Sequence, residues 1–197
     1  MAEASPVAPP KVLETRYSFA DRWLRLRTDV VQTPGGLGPS SIHVFEHPDW
    51  VDVIPLTKGG DIVLVEQYRH AVRQARIEFP AGTVDPGETP LAAIKRELLE
   101  ETGYSSDTWR LLGSAPVCPA LQTNRIYSFL ALDARHVALQ DPDEGEVIRA
   151  YEMPFADFME QVQSGTLELP ALQLAGLWWL QARFRGRAAP GTSAPFP

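Results

Sequence analysis

The sequence predicts an α/β fold, and three features of its pattern lead to that prediction. The first half alternates apolar and polar residues with the period of two that is typical of β-strands. A helix with clear start and stop signals follows, from Pro90 to Thr102. Two further helices, Phe155 to Ser164 and Ala171 to Phe184, come after more strands.

Composition and charge restrict the classes of function. The 197 residues include 25 acidic and 18 basic side chains, which gives a net charge of −7. Proteins that coat nucleic acid or anionic membranes are usually basic. No apolar run approaches the roughly 18 residues that span a bilayer, and no signal peptide pattern is present. Because Cys118 is the only cysteine, the fold needs no oxidising compartment. We therefore expect a cytoplasmic protein that binds neither nucleic acid nor membrane.

Changes in composition along the chain predict four segments. Residues 1–12 and 187–197 are rich in Ala, Pro and Ser, and we predict that they are mobile tails. Residues 13–48 alternate with period two around the turn sequence PGGLGP, which predicts an antiparallel β element. Residues 49–186 form the main domain.

The elements of the main domain follow from local signals. Strands are predicted at 51–54, 62–68, 76–79, 109–113, 125–132 and 147–152, with a hairpin turn at 58–61. In the first helix Thr89 is the predicted N-cap, Pro90 suits the first helical position and Gly103 supplies the stop. We expect two apolar stripes to pack on the sheet. The first helix contributes Leu91, Ile94 and Leu98, and the last contributes Leu172, Leu174, Leu177, Trp178 and Leu180.

Three carboxylates share one face of the first helix. Glu97 and Glu101 lie within about 40° of each other, and Glu100 lies about 60° from Glu97. Like charges so close together favour a bound cation, and oxygen ligands of this kind suit Mg²⁺ with substrate phosphate. The alternative is a solvated acidic face. The preceding loop favours the metal site, since its glycines permit a tight path into the helix and Glu88 stands at the helix entrance.

These residues resemble the Nudix box, G-x5-E-x7-R-E-U-x-E-E-x-G-U, in which U is apolar. All seven fixed positions are filled, and the only departure is the aromatic Tyr104 at the last U position. The resemblance implies an α/β/α sandwich with a mixed sheet, and hydrolysis of a nucleoside diphosphate linked to another group with Mg²⁺ or Mn²⁺. The residues at the fixed positions are Gly82, Glu88, Arg96, Glu97, Glu100, Glu101 and Gly103.

The resemblance also implies a role for each box residue. Glu97 and Glu101 would be the main metal ligands, and Glu100 would add to the cluster. The backbone carbonyl of Ala81 is a further ligand in similar proteins. Arg96 would orient the carboxylates, and Gly82 and Gly103 would shape the backbone. Glu88 is expected either in the outer shell or in direct contact with the metal.

Three features resemble the ADP-ribose and nucleoside diphosphate sugar branch of this family. Pro119 stands fifteen positions after Tyr104, and the segments 65–69 and 78–82 resemble the strand pair before the box. In that branch Arg69 would bind phosphate and Glu78 a ribose hydroxyl or base amine. The alternatives are a surface ion pair for Arg69 and a solvated strand end for Glu78. Because residues 120–124 depart from the usual run, GDP-mannose and UDP-glucose remain alternative substrates.

The β element at 13–48 resembles the extra sheet through which this branch forms homodimers. In such a dimer Trp23, Arg25 and Arg27 would contact a nucleotide across the interface. The alternative is a local hairpin packed on its own domain.

The acidic segment Asp141 to Glu146 is the predicted source of the general base. Glu144 is the favoured base, Glu146 an additional metal or substrate ligand, and Glu100 the next choice of base. A solvated acidic loop is the alternative. We expect a Mg²⁺-dependent pyrophosphohydrolase that cleaves ADP-ribose, or a related nucleotide sugar, to a nucleoside monophosphate and a sugar phosphate. A catalytically silent nucleotide sensor of the same fold is the rival, but such modules usually lose box carboxylates, and this chain keeps them all.

Overall fold

The computed structural model of the chain describes residues 8–142 and 145–184. Most of the first predicted tail and all of the second therefore lie outside the described residues. Two compact units divide the chain. The first contains residues up to Pro48 and Pro116–Asn124, and the second contains Asp49–Ala115 and the residues from Arg125 onward.

The first unit is an antiparallel sheet of three strands in the order β1 (Lys11–Ala20), β2 (Arg25–Gln32) and β3 (Ser40–Glu46). Strand β1 starts two residues before the predicted start of the β element, within the predicted tail. On the opposite edge, the Phe45 N–H donates to the Leu121 carbonyl at 2.8 Å. Strand β1 is solvent-exposed along its whole length.

The second unit contains the remaining strands, and its sheet is mixed. Strand β10 pairs parallel with β4, whereas β4 with β5 and β5 with β11 are antiparallel. The main path runs β11-β5-β4-β10-β8, with β6 on β5, β7 on β4 and β9 on β10. These strands are β4 (Trp50–Thr57), β5 (Asp61–Arg69), β6 (Gln74–Glu78), β7 (Ala81–Thr83), β8 (Tyr104–Ser105), β9 (Thr108–Pro116), β10 (Arg125–His136) and β11 (Ile148–Pro154).

Helices cover both faces of this sheet, which confirms the predicted α/β/α sandwich. Helix α1 (Pro90–Thr102) packs through Ala93, Ile94 and Leu98 on Val51 and Val53 of β4. Helices α2 (Phe155–Ser164) and α3 (Ala171–Phe184) cover the other face in a larger apolar core. All three helices have the predicted bounds. None of the helices in 8–142 and 145–184 combines the length and apolarity that a bilayer crossing demands.

Both predicted apolar stripes need correction. On α1, Leu91 is exposed, and Ala93 takes its place in the core. On α3, Leu174 and Trp178 face solvent, while the buried positions are Gln173, Gly176, Leu177, Leu180 and Phe184. The sequence prediction failed on α3 because apolar residues occur all round this helix, so periodicity alone could not select the buried face.

The ends of α1 match their sequence signals. The Thr89 hydroxyl accepts a hydrogen bond from the Ala92 N–H at 3.2 Å, and Pro90 opens the helix. Gly103 adopts the left-handed conformation at φ 73°, and its N–H donates to the Leu99 carbonyl. Because these signals fix both ends, the box carboxylates have defined positions on the helix. The short strands β7 and β8 were not predicted, since three and two residues are too few to show a period.

Candidate active site

Glu101 is buried at the junction between α1 and strand β7. Its side chain accepts a hydrogen bond from the Ala81 N–H at 3.0 Å, and the residue is 3% exposed. Burial raises the pKa of Glu101 well above its usual value, although the Ala81 N–H favours the ionised form. A carboxylate in this position would be stabilised by a nearby cation.

Glu97 lies directly over Gly82, the first residue of the box. A Cβ atom at position 82 would come within 2.1 Å of the Glu97 carboxyl group, so only glycine allows this approach. Burial raises the pKa of Glu97 to about 7, and the neighbouring Arg96 guanidinium opposes the rise. The second main carboxylate is therefore also held in a poorly hydrated position.

Arg96 connects the other box residues. Its guanidinium donates to Glu97 at 2.9 Å, to Glu100 at 3.0 Å and to Glu88 at 3.2 Å. It also donates to the Thr83 carbonyl at 3.2 Å. Arg96 therefore pairs with Glu88, Glu97 and Glu100 at once, and its role in orienting the metal ligands stays a prediction.

The arrangement of box carboxylates fits a divalent cation with few protein ligands. Within 8–142 and 145–184, no three His, Cys, Asp or Glu side chains converge as a metal site. Arg96 donates to both Glu97 and Glu100, while Glu101 accepts from the Ala81 N–H, and the expected roles of the three as metal ligands stay predictions. Ala81, whose carbonyl is the further expected ligand, is the residue whose N–H fixes Glu101. Mg²⁺ characteristically takes one or two carboxylates and leaves other positions to water and phosphate.

The structure pairs Arg69 with Glu78. The guanidinium donates from Nη2 to Glu78 Oε2 at 2.7 Å and from Nε to Oε1 at 3.1 Å. Glu78 is buried, whereas Arg69 remains partly exposed. The two predicted substrate contacts thus form one bidentate pair at the ends of β5 and β6.

The segment after β10 is attached to the C-terminal end of α1. The N–H groups of Val137 and Ala138 donate to the Gly103 carbonyl, and the Asp141 N–H donates to the Glu100 carbonyl at 2.9 Å. Gln140 Nε2 donates to the Glu101 carbonyl. This segment therefore satisfies carbonyl groups that the end of a helix leaves without partners.

Glu146, the predicted additional ligand, lies close enough to act on the buried carboxylates. Its negative charge contributes to the raised pKa values of Glu97 and Glu101, after burial and other interactions. Glu144, the predicted general base, lies outside the described residues.

The remaining predicted residues lie in the first unit. The Arg22 guanidinium covers the Trp23 ring at 4.1 Å. Arg25 lies 3.5 Å from the Glu46 carboxylate, and Arg27 pairs with Glu46 and Asp29. Pro119 lies in the turn that the Leu121 N–H closes on the Cys118 carbonyl at 2.9 Å. Their expected contacts with a nucleotide stay predictions.

Sequence reasoning missed three polar residues that lie beside the site. Gln140 contacts the end of α1, as described above, and Gln173 on α3 contacts the backbone of Phe79. Asp52 on β4 is the register partner of Ala81 and is buried. A polar residue within an apolar segment is a usable signal for the last two, since both interrupt runs of apolar neighbours.

Comparisons with known proteins show what the chain is similar to. A family model described as the NUDIX domain matches residues 46–170. A methanol dehydrogenase activator from Bacillus methanolicus is 30% identical over 154 residues, which cover 78% of this chain and 83% of that protein. An ADP-ribose pyrophosphatase from Mycobacterium tuberculosis is 31% identical over 168 residues, covering 84% and 80%.

A solved structure described as an ADP compounds hydrolase superposes with a TM-score of 0.79 at 19% identity, covering 93% of this chain and 98% of that one. At this identity the likeness concerns the fold. The family model spans the whole box, and both relatives align over most of their length. The chain therefore belongs to the Nudix family.

Proposed function

We propose that this protein hydrolyses the diphosphate of ADP-ribose, or of a related nucleoside diphosphate sugar, to a nucleoside monophosphate and a sugar phosphate. The observation that carries the proposal is the pair of carboxylates formed by the half-buried Glu97 and the buried Glu101, held around Gly82 and Ala81. The name of the Mycobacterium tuberculosis relative supports ADP-ribose as the first substrate to test.

Glu97, Glu101 and the Ala81 carbonyl would hold a divalent metal ion, for which we propose Mg²⁺ or Mn²⁺. Nudix pyrophosphatases generally use divalent ions. When bound, such an ion neutralises phosphate charge and lowers the pKa of a coordinated water. Arg96 keeps Glu97 oriented and separates it from Glu100, so that the charges of the carboxylates are balanced before substrate arrives.

Arg69 and Glu78 are proposed to recognise the substrate. Arg69 remains partly exposed beside the buried Glu78, so its guanidinium is accessible to a diphosphate oxygen. Glu78 holds the guanidinium in a fixed plane, which favours bidentate phosphate binding. In the acidic segment, Glu144 is proposed as the base that takes the proton of the attacking water, and Glu146 as an additional ligand.

A silent nucleotide-binding module of the same fold is the competing function. It would not require the close approach of Glu97 to Gly82 or the burial of Glu101, because neither contributes to binding a nucleotide base. Since these features are retained, we favour the enzyme.

Product analysis tests the proposal. The purified protein is incubated with ADP-ribose and Mg²⁺, and AMP and ribose 5-phosphate are separated by chromatography. A parallel sample contains a chelator, and GDP-mannose, UDP-glucose, NADH and diadenosine polyphosphates are compared by kcat/KM. We expect equal amounts of both products from ADP-ribose and none with the chelator. Nucleotide binding without turnover of any compound would establish the silent module instead.

We propose further that the β element binds a second copy of this chain, and that the protein is cytoplasmic. Strand β1 is an edge strand with Val12, Leu13, Tyr17 and Phe19 each about half exposed. An exposed apolar edge of this kind readily pairs with another strand. The predicted outcome is a homodimer in which Trp23, Arg25 and Arg27 approach the partner's nucleotide.

Light scattering after size exclusion tests the homodimer. The double variant Leu13→Asp, Phe19→Asp should be monomeric at micromolar concentration and should bind substrate more weakly. Leu174→Asp, at a similarly exposed position on α3, is the matched control and should remain dimeric. A monomeric wild-type protein would remove the premise.

A further inference from the structure

Gln173 on α3 forms two hydrogen bonds with the backbone between the predicted substrate and metal sites. The Phe79 N–H donates to Gln173 Oε1 at 2.8 Å, and Gln173 Nε2 donates to the Phe79 carbonyl at 3.1 Å. Gln173 is 4% exposed, and Phe79 is completely buried. The side-chain amide therefore replaces the neighbouring strand that Phe79 lacks at this point, between the end of β6 and the start of β7.

We propose that Gln173 is a positioning residue for the active site, which acts through the backbone of residues 78–81. This inference rests on the proposed function and deepens it. Glu78, the partner of Arg69, immediately precedes Phe79, and Ala81, the partner of Glu101, follows Pro80. One connection of four residues thus carries a group for each half of the site.

Each part of this connection is fixed by a different element. Gln173 of α3 holds Phe79, the Val53 N–H of β4 donates to the Pro80 carbonyl at 3.0 Å, and Glu101 of α1 accepts from Ala81. Pro80 has no N–H and offers no donor of its own. Of these three hydrogen bonds, the Gln173 contact is the one that comes from the face of the sheet covered by α3, so its loss would remove the polar restraint on that side.

The packing of α3 explains how a glutamine side chain reaches the backbone. Gly176 lies one turn after Gln173, and a Cβ atom there would come within 3.0 Å of the Ser128 hydroxyl oxygen. The helix therefore lies close against β10, which brings Gln173 within hydrogen-bond distance of Phe79. Residues three apart share a helix face, so the close approach of the helix at Gly176 also brings Gln173 close to the sheet.

The alternative is that Gln173 only satisfies a buried strand end and stabilises the fold. The two roles make different predictions. A stabilising contact changes the unfolding temperature but leaves metal affinity unchanged below that temperature. A positioning contact changes the placement of Ala81, and with it metal affinity and kcat, in protein that is still folded.

The test compares Gln173→Met, which keeps the side-chain length but loses both hydrogen bonds, with Gln163→Met at an exposed position of α2. Mn²⁺ binding is measured by electron paramagnetic resonance, and exchange of the Ala81 amide by NMR, both well below the unfolding temperature. We expect Gln173→Met to weaken Mn²⁺ binding about tenfold or more and to accelerate exchange at Ala81, with amides of β5 unaffected. Gln163→Met should match the wild type.

Kinetics with ADP-ribose and Mg²⁺ supply the second readout. We expect kcat of Gln173→Met to fall about tenfold or more. Gln173→Glu keeps an acceptor for the Phe79 N–H but sets its second oxygen against the Phe79 carbonyl, so we expect it to lose kcat and Mn²⁺ affinity as well. If Gln173→Met does not fold, Gln173→Glu compared with the wild type decides the same question. Unchanged Mn²⁺ affinity and unchanged exchange at Ala81 would overturn the inference. If the wild type binds Mn²⁺ but hydrolyses no nucleotide sugar, the proposed function fails, while the binding and exchange data still decide the role of Gln173.

Discussion

Two segments contact the box helix α1, one that precedes it in the sequence and one that follows β10, and they are held very differently. Residues 78–83 contact α1 and β4 through successive backbone groups and α3 through Gln173. The segment after β10 is held at its base by Gln140 and by backbone bonds to the end of α1. Among the described residues of this segment, Leu139 and Val147 are 86% and 84% exposed.

This difference suits two separate tasks. A metal ligand must keep its position to within a fraction of an ångström, and several independent contacts to packed elements achieve that. The acidic segment is proposed to supply the general base, which does not coordinate the metal and does not need as many contacts. The proposals that α1 and residues 78–83 bind the metal, and that the acidic segment accepts the proton, give the following expectations.

The largest expected effect is at the proposed metal site on α1. Glu101→Gln keeps the shape of the side chain but removes the charge that would bind the metal, so turnover of ADP-ribose should be abolished in a folded protein. A steady-state assay with circular dichroism as the folding control measures this. Since a tenfold change corresponds to about 1.4 kcal/mol of barrier, more than a tenth of wild-type activity would be too much for a lost ligand.

The next effect is at the acidic segment. Removal of a general base typically costs roughly 10²–10⁴-fold in rate, so Glu144→Gln should lower kcat at least about a hundredfold while Mn²⁺ affinity remains unchanged. Parallel assays of Glu146→Gln separate the two carboxylates. If Glu146→Gln loses turnover and Glu144→Gln does not, the roles are exchanged. If both remain active, the base lies elsewhere, with Glu100 the next residue to test.

A smaller effect is expected at the anchor of the acidic segment. Gln140→Met removes the hydrogen bond to the Glu101 carbonyl, and one such bond contributes about 1 kcal/mol. We expect kcat to fall about fivefold with little change in Mn²⁺ affinity, measured at saturating ADP-ribose. If Gln140→Met weakened Mn²⁺ binding instead, Gln140 would position the metal ligands of α1 rather than the acidic segment.

The smallest effect on activity is expected at Asp52, the buried register partner of Ala81. The effect expected there is on the free energy of unfolding. Neither Asp52 oxygen has a hydrogen-bond partner of ordinary geometry among the described residues. Burial raises the pKa of Asp52 to about 7, and the nearby Ser128 hydroxyl opposes the rise. Between about pH 4 and pH 7 the unfolded chain therefore ionises Asp52 while the folded protein does not, so the free energy of unfolding falls as pH rises through this window.

Asp52→Asn removes this dependence. We expect the stability of the wild type relative to Asp52→Asn to fall by a few kcal/mol from pH 4 to pH 7 and to level off above, as measured by urea unfolding at a series of pH values. Asp157→Asn, at an exposed position of α2, is the control and should show no such trend. A constant difference between wild type and Asp52→Asn would mean that Asp52 is ionised in the folded protein.

Local sequence signals predicted the bounds of all three helices. Thr89, Pro90 and Gly103 fix the ends of α1, and once a helix is placed, its geometry decides which side chains share a face. The strands carrying Arg69 and Glu78 were also predicted, because alternation and turn residues mark them.

Local sequence signals could not predict contacts between segments that are distant in the sequence. Gln173 and Phe79 are 94 positions apart, and nothing local to either residue specifies the other. The hydrogen bond from the Ala81 N–H of strand β7 to Glu101 was missed for a similar reason, since the two residues are 20 positions apart.

Direct binding of Mn²⁺ to matched variants tests the division between the two segments most directly. Wild type, Glu101→Gln and Glu144→Gln are titrated with Mn²⁺ under identical conditions, and the free ion is followed by electron paramagnetic resonance. Glu101→Gln should bind at least about tenfold more weakly, and Glu144→Gln should match the wild type. Equal binding by wild type and Glu101→Gln would contradict the assignment of the metal site to α1 and residues 78–83.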